Sequence, residues 1–162
     1  MIKFRYHSGI YTLETEQRLP ISLAEAWAFF SSPENLCKMT PAHMKFEISS
    51  GRPDSMYKGQ MITYKLSPLP GIKTNWVTEI TESVPPSFFV DEQRFGPYLM
   101  WHHEHFFQQE TDGILMKDKV SYKLPFGLLG HLAHSFFVKR QLKQIFEFRT
   151  KTLESLFISA TR

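Results

Sequence analysis

Trp101-His102-His103-Glu104-His105 gathers three imidazoles and a carboxylate within five residues. The segment reads as a strand, whose side chains alternate, so Trp101, His103, His105 and Phe107 share one face and His102, Glu104 and Phe106 the other. Asp118 stands in a second alternating run, with Met116, Asp118, Val120 and Tyr122 opposite Lys117, Lys119, Ser121 and Lys123. The lysine face must meet water. Asp118 therefore points inward, where a carboxylate without a partner is costly. A tight turn at Asp112-Gly113 would set His105 opposite Asp118 or one pair away, with His103 next along. Such a His–Asp pair fixes an imidazole's orientation and raises its pKa, which suits a general acid or base and makes His103, His105 and Asp118 the catalytic candidates. The plain alternative is a buried hydrogen-bonded pair that satisfies itself.

Further polar residues converge on the same interior. Arg149 falls close to an apolar helical stripe between Ile145 and Leu153 and could neutralise Asp118 or meet an acidic ligand head group. On the strand before Trp101, either Asp91 and Gln93 or Glu92 and Arg94 must face inward, and the phase of Phe89 favours the first pair. The two same-face histidines plus Asp118 could bind a metal, but the spacing is no metal signature, and neither metal nor cofactor is expected. There is no Gly-x-Ser-x-Gly elbow, no phosphate-binding glycine loop and no dinucleotide fingerprint. Any catalysis would hold a carbonyl or polyketide-like compound in a cavity while His or Asp moves a proton.

The 162-residue chain fits one domain, residues 1–162, large enough to bury a core without staples. Its fifteen Phe suit either a dense core or the wall of an apolar pocket. The single cysteine, Cys37, excludes an intramolecular disulfide framework and agrees with a reducing cytoplasm. Met1 to Glu14 alternates polar and apolar residues, unlike a secretory signal. The longest apolar run, Ala26 to Phe30, is far short of the ~20 residues of a membrane span. These features predict a cytoplasmic protein with no transmembrane segment. A net charge of +3 and the absence of binding motifs give no reason to expect a nucleic-acid partner. Oligomeric state is left open.

The elements that must position the site follow in order. A strand spans Tyr11 to Gln17. Ser22 with Glu25 forms a capping box that opens a helix through Phe30, and Ser32-Pro33 begins a second helix to about Met39. Strands are predicted at His43–Ser49, Gln60–Leu66, Lys73–Ser83, Phe88–Arg94, Tyr98–Gln108 and Leu115–Leu124, with turn residues between them. A long amphipathic helix, with Leu132, Phe136, Leu142, Ile145, Phe146, Leu153 and Leu156 on its stripe, is expected from Leu132 to Phe157. The turn-rich Gly51–Lys58 stretch reads either as a gate or as an ordinary loop.

This order resembles the helix-grip fold of the START and birch-pollen-allergen superfamily, also called SRPBCC or polyketide cyclase/dehydrase-like. Leu19-Pro-Ile-Ser-Leu-Ala-Glu-Ala-Trp-Ala-Phe-Phe-Ser-Ser-Pro-Glu-Asn-Leu36 resembles that superfamily's entry into its paired helices. Trp76-Val-Thr-Glu-Ile80, Phe89-Val-Asp-Glu-Gln93, Gly96-Pro-Tyr98, Trp101-His-His-Glu-His105 and Asp118-Lys-Val-Ser-Tyr-Lys-Leu-Pro125 are similar to an uncharacterised bacterial ligand-binding branch. The resemblance implies an α+β fold, with a curved antiparallel sheet of about seven strands wrapped around a long C-terminal helix. It implies a cavity for a small, largely hydrophobic, lipid- or polyketide-like molecule. Trp76, Trp101, Phe107, Tyr122 and Phe146 would supply walls, and Asp91, Gln93, His103, His105, Asp118 and Arg149 polar contacts. Superfamily members range from lipid carriers to cyclases, so a cyclase, dehydratase or hydrolase and a protein- or membrane-interaction module remain alternatives.

Overall fold

A computed structural model of the chain describes residues 1–50, 56–69 and 72–158. Residues 51–55 of the turn-rich stretch lie outside it. Alternation builds the sheet: along β2 (Ile10–Leu19), Tyr11, Leu13 and Thr15 are buried in turn, as a sheet with one covered face requires. Before it, β1 (Lys3–His7) forms an antiparallel hairpin with β2. Its side chains are mostly exposed, so the segment lacks the buried alternation that marks a strand in sequence.

Ser22 caps α1 (Leu23–Phe30) as predicted. Its hydroxyl accepts from the Glu25 N–H at 3.2 Å, and its own N–H donates to Glu25 Oε2 at 2.8 Å. Pro33, whose missing N–H costs nothing in a first turn, opens α2 (Pro33–Lys38). The expected strand over 43–49 shrinks to β3 (Glu47–Ile48), because Ala42–Met44 forms a 3-10 turn instead. The remaining strands are β4 (Met61–Leu69), β5 (Ile72–Val84), β6 (Phe88–Phe95), β7 (Met100–Glu110) and β8 (Gly113–Lys123).

All eight strands form one antiparallel sheet in the order β1-β2-β8-β7-β6-β5-β4-β3. The β7–β8 hairpin turns through Thr111-Asp112, one residue before the expected Asp112-Gly113, and Gly113 opens β8 opposite Glu110, with φ +137° and a position where a Cβ would lie 2.1 Å from the Leu19 carbonyl oxygen. Only glycine fits there. That turn places His105 directly opposite Asp118, while His103 faces Asp91 on β6.

The C-terminal helical run starts earlier than Leu132 and is not continuous. It comprises α3 (Gly127–Ala133), a π-helical turn (His134–Val138) and α4 (Lys139–Phe157). The extra residues of a π turn rotate the helix face, so the predicted stripe does not carry through: Leu132 and Phe136 are exposed, as is Leu156 near the end. The buried residues Leu142, Phe146, Arg149 and Leu153 do follow helical spacing along α4. Three apolar clusters build the interior. Phe30, Phe89, Phe107 and Leu153 lie in one, Leu13, Val120, Tyr122 and Phe146 in a second, and Ile62, Tyr64 and Ile80 in a third. Among the described residues no helix is long and apolar enough to cross a membrane.

Candidate functional site

A cavity of about 210 Å³ lies between the inner face of β4–β7, the α1–α2 region and α4. Its walls are largely apolar, with Phe30, Leu36, Met44, Ile62, Leu66, Trp76, Ile80, Trp101, Leu142, Ile145 and Phe146 among the lining residues. Asp91, His103, His105 and Arg149 line it together. Neighbouring strands bring the first three together and α4 supplies the fourth.

Asp118 lies behind this group and accounts for its order. Its Oδ1 is 3.1 Å from His103 Nε2, 2.9 Å from His105 Nδ1 and 3.2 Å from an Arg149 terminal nitrogen. Asp91 closes the other side, with Oδ2 2.9 Å from His105 Nε2 and 3.5 Å from His103 Nδ1. Each imidazole thus lies between two carboxylates and makes one hydrogen bond, His103 with Asp118 and His105 with Asp91. Thr78 donates its hydroxyl to Asp91 Oδ1 at 3.2 Å, and the His105 ring stacks on Phe89 with centroids 4.1 Å apart. The Arg149 guanidinium sits 5.5 Å from the Phe30 ring centroid, a cation–π contact that helps hold a cation away from water.

Burial and charge pull these groups in opposite directions. Burial by itself would raise the Asp118 carboxyl, but the Arg149 charge and the two histidines outweigh it and hold the group well below the usual carboxylate range. Asp91 follows the same pattern: burial raises it, and His105, His103 and Thr78 bring it below the ordinary value. Burial lowers His103, and the neighbouring His105 adds to the effect despite the bond to Asp118. Burial opposes a charge on His105 too, yet its two carboxylate partners raise it. Two carboxylates against one guanidinium leave one negative charge in a dry place. The raised value of His105 favours the imidazolium that would balance it, and the lowered value of His103 favours its neutral form. On the cavity wall, burial also raises the phenols of Tyr64 and Tyr98, which stay neutral hydrogen-bonding groups.

Asp91, His103 and His105 each offer one ligand atom, all within 4.8 Å of one another, and a divalent cation would accept that donor set. Asp118 would then be the outer carboxylate orienting both imidazoles.

Of the residues singled out by sequence, Trp76, Asp91, Trp101, His103, His105, Phe146 and Arg149 line the cavity, whereas Gln93, Phe107, Asp118 and Tyr122 do not. The register of β6 against β5 shifts just beyond Gln93, and Gln93 turns to the β6–β7 connection, donating to the Tyr98 carbonyl at 2.7 Å and accepting from the Tyr98 N–H at 3.2 Å. Phe107 shares a strand face with the histidines, but α1 covers that end: the Phe30 ring stacks on it with centroids 5.1 Å apart. Tyr122 is closed off by the π turn, its hydroxyl 2.8 Å from His134 Nε2. The lining residues Tyr64, Thr78, Tyr98 and Gln141 were missed. Tyr64 and Thr78 had a readable signal, their alternation with Ile62 and Leu66 and with Trp76 and Ile80.

No protein-family model matches the sequence, and no curated protein matches it either. Solved structures do match. Protein TTHA0849 from Thermus thermophilus superposes with a TM-score of 0.69 at 16% identity, covering 93% of this chain and 99% of its own. Protein Ms6760 from Mycobacterium smegmatis gives 0.67 at 14% identity, covering 100% and 98%. Ara h 8.0201 gives 0.58 at 16% identity, covering 91% and 99%. The fold is the helix grip. Identities this low carry the helix-grip architecture and nothing about individual site residues.

Proposed function

We propose that this helix-grip protein binds a small, largely hydrophobic molecule in the cavity between its sheet and α4, with the molecule's polar end at Asp91, His103, His105 and Arg149. One observation carries the reading: four ionisable side chains collect at one place on a largely apolar wall, the composition of a site that both holds and orients a ligand. At about 210 Å³ the cavity exceeds the ~150 Å³ apolar hole that accommodates a benzene and falls below the ~300 Å³ at which drug-sized pockets begin. The expected occupant is therefore of two-ring or short-chain size, with a hydroxyl, carbonyl or carboxylate at one end.

Native mass spectrometry of protein purified from its own host, beside a denatured sample, tests this. A non-covalent mass should appear in the native spectrum and vanish in Ile145→Trp, whose indole would fill the cavity. If the native protein is empty and both forms bind an apolar fluorescent probe equally, the cavity is not the site.

A second reading is favoured by the two histidines. One imidazole is lowered and its neighbour raised from the ordinary value, the kind of split that an acid–base pair for proton transfer within the bound molecule uses. His105→Ala turning over a substrate at the wild-type rate would sink it.

A further inference from the structure

The start of the C-terminal helical run presents large apolar side chains to water. Phe126 is 80% exposed, Leu128 85%, Leu129 71% and Phe136 81%. Leu128 and Leu132 lie four residues apart on one side of α3, and Phe136 continues the exposed apolar run into the π turn, just before the exposed Arg140. Phe126 takes φ +69°, a conformation costly for a residue with a Cβ, and gains little packing within the chain in return. The Leu99 N–H donates to the Lys123 carbonyl at 2.9 Å, which sets the exposed Leu99 beside the chain entering this segment. An apolar surface of this kind marks an interaction site.

Charge selects what covers it. From Lys119 to Phe146 the sequence contains no Asp or Glu, and Lys123, Lys139, Arg140 and Lys143 are exposed. A second copy docking through the same patch would set this basic segment against itself, because a twofold interface is self-complementary. An apolar run rimmed by one sign of charge instead fits the head-group layer of an anionic bilayer, with Phe and Leu below the phosphates and Lys and Arg among them.

We infer that the Phe126–Phe137 segment, with its basic neighbours, docks the protein on anionic membrane surfaces. The helix lies on the bilayer and does not cross it. Pro97, two residues before Leu99, lines the cavity, so docking brings this part of the cavity wall toward the bilayer. The inference stands whether or not the cavity holds a ligand.

Co-sedimentation with phosphatidylcholine vesicles, with and without phosphatidylglycerol, tests it. The protein should pellet with the phosphatidylglycerol vesicles and be released by high salt. Leu128→Ser/Phe136→Ser should weaken partitioning roughly tenfold or more at an unchanged melting temperature, since both side chains are exposed. Lys123→Gln and Arg140→Gln should each weaken it about fivefold. Three results would overturn the inference: no binding to phosphatidylglycerol vesicles at low salt, undiminished binding by the Leu128/Phe136 variant, or a solution dimer that this variant dissociates.

Discussion

Breaking the Asp118–Arg149 pair is the most demanding test of the site's electrostatics. Both side chains are almost wholly buried, at 0% and 8% accessible, and lie 3.2 Å apart. Asp118→Asn keeps an acceptor for His103 but removes the charge facing the guanidinium. Arg149→Met keeps the apolar stem and leaves the carboxylate without its cation. Stranding either partner in the interior should cost roughly 3–5 kcal/mol. For a chain of this size that is a drop of roughly 6–20 °C in melting temperature. The double variant leaves no charge stranded between these two positions, so its loss should fall short of the summed single losses by roughly 2–3 kcal/mol. Urea denaturation of wild type, both singles and the double closes the cycle. Additivity within about 0.5 kcal/mol would refute the coupling.

The two histidines should titrate apart in NMR, His105 above the ordinary imidazole value and His103 below it; coincident titration at the ordinary value would contradict the arrangement. His105's contribution to stability should be complete below about pH 6.5 and fade as pH rises through its raised value, while His103's is complete above about 6.5 and fades as pH falls toward its lowered value. The carboxyls of Asp91 and Asp118 contribute fully above about pH 4 and lose that contribution only as pH falls through their lowered values. Gln93→Ala removes both clamps on the Tyr98 backbone and should cost roughly 1–3 kcal/mol. It should also alter tryptophan emission, because Tyr98 packs between Trp76 and Trp101 at centroid distances of 5.6 and 4.9 Å; unchanged stability and emission would show the clamp to be idle. Gly113→Ala forces a Cβ into the Leu19 carbonyl and should destabilise by more than ~1 kcal/mol, with an unperturbed melting curve as the contrary result.

Period-2 alternation made most of the sheet legible, and Asp112-Gly113 marked the β7–β8 hairpin closely enough to leave His105 opposite Asp118 or one pair away; the turn through Thr111-Asp112 selects the first. The capping box gave α1 from an equally local signal. What escaped depended on contacts distant in sequence. Phe107 and Tyr122 occupy the expected inward faces, but sequence cannot show that α1 and the π turn close over those ends. Gln93 has the parity of Asp91, yet the shift in pairing beyond it directs its amide elsewhere. The π turn leaves no composition signal, and with it the expected burial of Phe136 was lost. The position of Arg149 on the buried stripe was readable because α4 beyond the π turn is regular.

The strand order also bears on how the chain reaches this state. Every strand from β3 to β8 pairs with its neighbour in sequence, and β1 pairs with β2. The β2–β8 ladder is the sole pairing among the described strands that must close a long loop. Loop closure slows such contacts, so the meander is expected to form first and β2 to dock onto it afterwards. Asp91, His103, His105 and Asp118 all lie within that meander, on three consecutive strands. The four-residue cluster can therefore meet in the early sheet, still carrying an unbalanced negative charge, and the arrival of Arg149 on α4 completes it. Because α4 follows the meander in the chain, its docking brings the cation that the buried carboxylates await.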